Sequence, residues 1–319
     1  MRIVFMGTSE FAIPSLEQLI AENFDIVGVV TQPDKPSGRG KRLTPPPVKI
    51  IAAAHNLPVY QPEKVRHREF IRVLKNLRPM AIVVAAFGQL LPKSVLAIPP
   101  CGCINSHPSL LPKYRGAAPI QWALINGETE TGVTIMLLDE GADTGGIILQ
   151  RRVKIDPQDT AATLSNRLAR LAAPLLIQAL ENASGVPPPH SPQDHAEATQ
   201  APRLTKEIGQ IDWQKSAAEI CNLVRGTAVW PSAYTYLGDN LRLKVIDCAA
   251  VDCTNSSDNP PGTIQITPEK ELIVIAGHRA VRLDCVQPAN KQKISGYDFI
   301  NGRRLKTGDR FFRRDQPSE

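Results

Sequence analysis

The segment at residues 104–116, INSHPSLLPKYRG, and the later loop LLDEGADTGG bring an amide, an imidazole and several carboxylates into one short stretch of chain. Asn105 supplies the amide, His107 the imidazole, and Asp139, Glu140 and Asp143 the carboxylates. These groups suffice to move an acyl group from one nitrogen to another. A neutral imidazole takes the proton of an attacking amine, and a carboxylate holds the imidazolium that results. An amide N–H donates to the oxyanion that develops on the carbonyl oxygen. No covalent nucleophile is required.

Such chemistry needs the groups on one face. CGCINSHP alternates small, apolar and polar residues as a strand does, so Asn105 and His107 are expected to project the same way. Pro108 has no N–H for a central ladder, so the strand should stop there. That leaves both side chains at its carboxyl end, where open α/β sheets bind ligands. A bare N-x-H pair would serve equally well as a polar cap on a strand end, and the wider sequence has to decide.

Around this pair, strand and helix patterns alternate. Residues 2–6 and 25–30 are short apolar runs separated by a helical pattern over 13–21, a βαβ opening that predicts a parallel sheet. A lone Gly7 follows the first run and no G-x-G-x-x-G occurs, so the dinucleotide fingerprint is absent. Helices are expected over 48–55, 63–77 and 117–126. Strands are expected over 80–87 and 103–107, and in VTIMLL and IILQRRVKI on either side of the Asp143 loop. Leu164, Leu168, Leu171, Leu175 and Leu176 mark a long amphipathic helix ending near Gly185. The proline cluster VPPPHSPQ cannot sustain a helix and reads as a stiff linker. Domains are therefore expected at 1–189 and 206–319, with 190–205 between them. His190 and His195 in that stretch read as solvated residues, because no Cys or acid cluster accompanies them. Further on, Ser216 and Glu219 form a capping box for a helix that Gly226 can close. Short β-type runs at 233–237, 241–248, 272–276 and 281–286 then alternate with turn clusters such as TNSSDNPPG, the spacing of a small antiparallel barrel or sandwich.

At 319 residues with 42% hydrophobic content the chain can bury two cores. Its longest apolar stretches fall far short of a membrane span, and Met1 leads directly into a strand, so a cytoplasmic protein with no membrane partner is expected. Of six cysteines only Cys101 and Cys103 are close in sequence, which favours reduced structural thiols over zinc, and no metal is expected. The net charge of +6 suits an anionic partner. Its distribution is more telling: Lys35, Arg39, Lys41, Arg42 and Lys49 occur with no acid among them, and residues 291–319 carry eight basic against four acidic side chains. A charge run is by default a solvated face.

The whole stretch INSHPSLLPKYRGAAPIQWALINGETETGVTIMLLDEGADTGG resembles the core of the folate-dependent formyltransferases. MRIVFMGTSEFAIPSL, TQPDKPSGRGKRLTPPPVK, AAFGQLLP, APRLTKEIGQIDW, VRGTAVWPSAY and QPANKQKISGYDFINGRRL extend the resemblance, in order and over nearly the full length, to the methionyl-tRNA formyltransferase branch. The family's INxHxSLLP pattern is met without exception. Phe87 stands where members often carry Tyr and Val229 where they often carry Pro, and neither change removes a catalytic group.

The resemblance implies an α/β fold: a Rossmann-like formyltransferase domain with a mostly parallel sheet, then a small OB-like β-barrel domain that binds tRNA. It implies 10-formyltetrahydrofolate as the formyl-donor co-substrate and initiator methionyl-tRNA as the acceptor. It singles out Asn105, His107 and Asp143 as catalytic, with Asp143 preferred to Asp139 and Glu140 by its place in the loop. A flat, partly apolar pterin suits AAFGQLLP and SLLP, which makes Phe87, Gly88, Leu90, Ser109, Leu110, Leu111 and Pro112 candidate folate-binding residues. The chain must reverse after Pro108, so a sharp turn is expected at Leu111 and Pro112, and the family favours a cis bond there. In the family the basic loop enters the tRNA acceptor stem, so Lys35, Arg39, Lys41 and Arg42 are candidate tRNA-binding residues, with Arg39 matching the principal RNA-contacting arginine. A monomer is expected.

Three other functions fit parts of the pattern. A formyltransferase for a small amine, such as a sugar nucleotide or glycinamide ribonucleotide, would share the chemistry but has little use for a basic loop and a second domain. An RNA-binding protein on a decayed enzyme fold would not need Asn105, His107 and Asp143 intact. A nicotinamide dehydrogenase lacks its glycine fingerprint here.

Overall fold

RIVFMG, DIVGVV and AIVVA are rich in β-branched residues, and in the computed structural model they become the parallel centre of a sheet. The structure describes residues 1–37, 42–238, 241–252 and 259–314, without the side chains of Ser37 and Arg42. Contacts divide the chain into two units. The first comprises Met1–Pro119, Glu130–Lys154 and Leu164–Pro202, and the second Ile120–Thr129, Ile155–Thr163 and Arg203–Glu319.

In order, the first half of the chain contains β1 (Arg2–Gly7), α1 (Ile13–Ala21), β2 (Asp25–Val30), β3 (Lys35–Ser37), β4 (Arg42–Thr44), α2 (Pro47–Ala54) and β5 (Val59–Tyr60). There follow α3 (Arg68–Leu77), β6 (Ala81–Ala85), α4 (Lys93–Leu96), β7 (Cys103–His107), α5 (Pro119–Ile125), β8 (Glu130–Leu137), β9 (Ile147–Lys154) and α6 (Ala161–Glu181). Seven strands form one sheet in the order β5-β2-β1-β6-β7-β8-β9. The first five are parallel and the last two join antiparallel. From β1 the chain moves outward through β2 to β5, then returns to β6 and moves outward the other way to β7. The carboxyl ends of β1 and β6 thus flank a topological switch point, the usual ligand crevice of such sheets.

Two boundaries differ from the sequence pattern. The helix expected from residue 63 begins at Arg68, because the Gln89 side chain takes the backbone of the preceding turn: Val65 N–H donates to Oε1 at 3.0 Å and Nε2 donates to the Glu63 carbonyl at 3.1 Å. The strand expected to reach residue 87 ends at Ala85, since Ala86 adopts φ +45 and turns the chain. The Phe87 ring is thereby carried into the core beside Val4, Met6, Val30 and Phe70. Burial of the Cys103 thiol in the same core pushes its pKa up to about 12, which keeps it protonated and unreactive.

The second unit contains α7 (Ala217–Gly226), β10 (Ala233–Leu237), β11 (Leu241–Val251), β12 (Ile264–Ile266), β13 (Leu272–Ile275), β14 (Ala280–Pro288), β15 (Ile294–Ser295), α8 (Gly296–Arg303) and β16 (Phe311–Phe312). Its strands form an antiparallel sheet in the order β12-β13-β14-β11-β10-β16, with β15 beside β14. The sheet curls until its edges meet: Ile264 N–H donates to the Asp309 carbonyl at 2.7 Å and Phe311 N–H to the Gly262 carbonyl at 2.8 Å. Trp213, Ile220, Val245, Leu272, Phe299 and Phe311 fill its core. The capping box at Ser216 and Glu219 is present. Gly226, however, is the last helical residue rather than the closing one. Thr227 caps the helix, donating its hydroxyl to the Leu223 carbonyl at 2.7 Å, and a Cβ on Gly226 would lie 2.6 Å from the Ile125 side chain.

Among the described residues no helix is long and apolar enough to cross a membrane.

Candidate active site

Asn105 and His107 lie on one face of β7, flanked by β6 and β8 and ending at Pro108 as the sequence requires. His107 is 4% exposed, and its Nε2 lies 2.9 Å from the Tyr114 carbonyl oxygen. A carbonyl can only accept, so Nε2 carries the ring hydrogen and Nδ1 of the neutral ring keeps its lone pair. Nδ1 is therefore the basic atom. Asn105 is 8% exposed, and its side-chain amide has no hydrogen-bond partner among the described residues. Its amide is therefore free to donate to a group that enters the site.

The loop between β8 and β9 brings the carboxylate. Asp143 Oδ1 lies 3.6 Å from His107 Nδ1, while Oδ2 accepts from Gly116 N–H at 2.9 Å. The separation at Nδ1 exceeds a hydrogen bond and leaves room for closure once the ring is protonated. The two competing acids are engaged elsewhere. Asp139 Oδ1 accepts from Gly141 N–H at 3.0 Å and Thr144 Oγ1 at 2.7 Å, and exposed Glu140 pairs with Lys93 at 3.2 Å. The turn is tight enough that a Cβ on Gly145 would run into the Leu137 carbonyl.

The SLLP turn forms the adjoining wall. Thr134, opposite His107 on β8, donates to the Ser109 carbonyl at 2.7 Å and accepts from Leu111 N–H at 3.1 Å. Gln150 Nε2 donates to the Leu111 carbonyl at 2.7 Å, and the Leu111–Pro112 bond is cis, as the family resemblance implied. Ser109 is fully buried and donates its hydroxyl to the Lys113 carbonyl, so its contribution is to hold the turn. Leu111 is buried, whereas Leu110 and Pro112 are half-buried.

At the switch point, the Phe87 carbonyl accepts from Thr8 Oγ1 at 2.9 Å and Gln32 Nε2 at 3.4 Å. With its ring in the core, Phe87 can offer a ligand only backbone. Gly88, at φ +87, has nothing within 4 Å of where a Cβ would be, and Leu90 is 73% exposed. There is open, partly apolar space beside these residues.

The basic segment is a hairpin, with Lys35 opposite Thr44 and Ser37 opposite Arg42. Arg39 and Lys41 lie outside the described residues, as does the Arg42 side chain. Lys35 is exposed. Lys49 is not a free cation: its Nζ pairs with Asp34 at 2.8 Å, and Gln61 Nε2 donates to the same carboxylate at 2.8 Å. These bonds hold the Asp34 carboxyl below the usual range, Lys49 contributing most.

Composition alone did not point to Arg115 and Gln193, yet each is only 6% exposed; Gln193 bonds to the Asp143 turn and Arg115 bonds to Gln193. Gln193 lies in the stretch expected as a linker. Residues 191–202 are instead laid along the first unit: Ser191 exchanges two backbone bonds with Ile147, and Ala201 N–H donates to the Arg115 carbonyl at 2.7 Å. A proline-rich segment makes few bonds within itself, so its free backbone groups can serve neighbouring loops. His195 is exposed, with Nδ1 3.1 Å from an Arg115 guanidinium nitrogen.

Family models set the class of this arrangement as formyl transferase. The family model described as formyl transferase matches residues 1–180, and that described as formyl transferase, C-terminal domain, matches residues 203–304. Solved structures of the same fold include the sugar 3N-formyl transferase WlaRD, at TM-score 0.66 and 20% identity over 92% of this chain and 99% of that one. The Helicobacter canadensis N-formyltransferase aligns at TM-score 0.64 and 18% identity over 92% of this chain and 100% of its own.

The methionyl-tRNA formyltransferase of Syntrophus aciditrophicus (strain SB) is 47% identical over 306 residues, 96% of this chain and 97% of its own. That of Thermodesulfovibrio yellowstonii is 48% identical over 307 residues, again 96% and 97%. The chain belongs to the methionyl-tRNA formyltransferase family.

Proposed function

We infer that the chain transfers the formyl group of 10-formyltetrahydrofolate to the amino group of methionine on initiator methionyl-tRNA, the step that prepares this tRNA for translation initiation. The near full-length likeness to methionyl-tRNA formyltransferases carries the substrate assignment. One observation carries the chemistry: Asn105, whose amide makes no hydrogen bond among the described residues, shares a strand face with His107, whose Nε2 faces a carbonyl and so leaves Nδ1 as the basic atom of the neutral ring.

In this reading His107 Nδ1 takes a proton from the methionine amine as its nitrogen bonds to the formyl carbon. Asn105 donates to the formyl oxygen as negative charge gathers there, and Asp143 meets the imidazolium charge. The departing folate nitrogen then takes up a proton, and Nδ1 is the nearby source. Tyr114's carbonyl keeps Nε2 out of the exchange.

The space beside Gly88 and Leu90 would suit a flat, partly apolar ring, and Ser109, Leu110, Leu111, Pro112 and the Phe87 backbone would help to hold it. Lys35, Arg39, Lys41 and Arg42 in the basic segment would meet acceptor-stem phosphates. Residues 1–189 would then carry the catalytic machinery, completed by the following segment, and residues 206–319 would bind tRNA. The protein would act in the cytoplasm as a monomer.

The test is incubation of the protein with 10-formyltetrahydrofolate and, in parallel, charged initiator tRNA, charged elongator tRNA or free methionine. Formylation of the initiator alone is expected. Equal formylation of free methionine or of a sugar amine would move the small-amine reading into first place.

A further inference from the structure

Gln193 presents its amide in two directions. Its Oε1 accepts from Arg115 Nε at 3.0 Å and from an Arg115 terminal nitrogen at 2.6 Å. Its Nε2 donates to the carbonyls of Asp143 and Gly145 at 2.9 and 2.8 Å. We propose that Gln193, oriented by Arg115, is a positioning residue that fixes the backbone of the Asp143 turn and so keeps its carboxylate beside His107 Nδ1. The inference rests on the reading of Asp143 as the partner of the imidazolium.

Asp143 sits at φ +56, in the left-handed region, which is uncommon for a non-glycine residue although Asp tolerates it better than most. It is held from two sides. Gly116 N–H grips the carboxylate, and Gln193 grips the carbonyl of the same residue. Arg115, the neighbour of Gly116, binds Gln193, so both grips trace to one dipeptide. Arg115 is itself anchored, with its N–H donating to the Thr199 carbonyl at 2.9 Å and its carbonyl accepting from Ala201 N–H. A Cβ on Gly116 would lie 2.6 Å from the Ala201 carbonyl oxygen, so this approach admits only glycine. Loss of the Gln193 grip would strand two carbonyls and free the turn, and a displacement on the order of 1 Å at a reacting group can cost about 100-fold in rate.

Only a primary amide can accept from a guanidinium and donate to two carbonyls at once. Gln193→Glu keeps the shape and the acceptor for Arg115 but sets oxygen against both carbonyls. Gln193→Met keeps the length and neither bond. His195 is a lesser contributor. Arg cannot accept, so His195 Nδ1 must, and the ring only steadies the guanidinium from the exposed side.

The experiment measures kcat and KM for 10-formyltetrahydrofolate and charged initiator tRNA in Gln193→Glu, Asp143→Asn and the double variant, with thermal melting of each. For Gln193→Glu, kcat is expected to fall by at least about tenfold with both KM values within about twofold, since the turn touches the transition state rather than the bound ground state. In the Asp143→Asn background the same change should cost nothing further, because the group being positioned has already gone. If Asp143→Asn itself leaves kcat intact, the role given to Asp143 fails and the inference fails with it. If Asp143→Asn is damaging while Gln193→Glu keeps more than half of wild-type kcat, or if the two losses multiply, the inference alone is overturned. Should the glutamate variant fail to fold, Arg115→Lys keeps a cation but loses the forked donation to Oε1. It must then show the same loss of kcat, unchanged KM and no additional loss with Asp143→Asn.

Discussion

His107 and the basic hairpin are both expected to handle the same tRNA, but they are held in different ways. His107 is fixed through Tyr114 and the strands on either side, and Asp143 beside it through Gly116 and through Gln193, fifty residues further along the chain. Three residue pairs join the strands of the β3–β4 hairpin, which stands next to one half-buried ion pair, Lys49 with Asp34. A group that must meet a transition state needs distant parts of the fold to agree on its position. Side chains that meet phosphates need only charge and reach.

Variants can break this contrast where it is sharpest. His107→Ala is expected to lower kcat by about 10² to 10⁴, the usual contribution of a positioned acid–base group, with tRNA affinity unchanged. His107→Gln should fare no better: it can still donate to the Tyr114 carbonyl but has no basic nitrogen. Single-turnover formylation measures both, and a rate above about a tenth of wild type would remove the imidazole from the mechanism.

Asn105→Ala comes next, at roughly 3 to 4 kcal/mol of barrier. Asn105→Asp should be at least as slow, because it replaces a donor with negative charge where negative charge develops. A faithful Asp variant in the same assay would refute the oxyanion role.

For the hairpin, replacing Arg39, Lys41 and Arg42 together by Ala should weaken tRNA binding and flatten its dependence on salt. Each lost phosphate contact lowers the slope of log affinity against log salt by up to about 0.9 on a duplex. Any slow hydrolysis of formyl-folate should survive. Filter binding across a salt series gives the slope, and an unchanged one would make the loop structural.

The smallest effect belongs to Asp34. Its folded pKa is lowered, chiefly by Lys49 and then Gln61, so its contribution to stability is present above the ordinary carboxylate pKa and is lost as pH falls through the lowered value. Asp34→Asn should therefore lower the melting temperature slightly at neutral pH and not at all below the carboxylate range. A difference that persisted in acid would assign the effect to something other than the ion pair.

Much of this arrangement could be read beforehand. Period-two alternation around Asn105 and His107, closed by Pro108, gave a strand that the structure reproduces residue for residue. Asp143 was separable from Asp139 and Glu140 only through family resemblance, since three acids within five residues of a glycine-rich loop have no periodicity to sort them. The Phe87 ring faces the core because a single left-handed residue, Ala86, turns the chain before it, which no side-chain pattern announces. Lys49 looked free because its partner, Asp34, stands one residue outside the basic run. Gln193 left no mark at all, for a side chain that bonds to carbonyls is matched to backbone, and backbone has no sequence.

The path of residues 191–202 also has a bearing on inheritance. A recombination between two relatives, natural or made in the laboratory, that crosses at the proline cluster would give the first unit a foreign residue 193 and a foreign strip along Arg115. A crossing after Pro202 would carry the strip with the pocket it serves. The stretch that belongs with the pocket therefore runs on to Pro202, past the proline cluster, although the second unit also draws on Ile120–Thr129 and Ile155–Thr163.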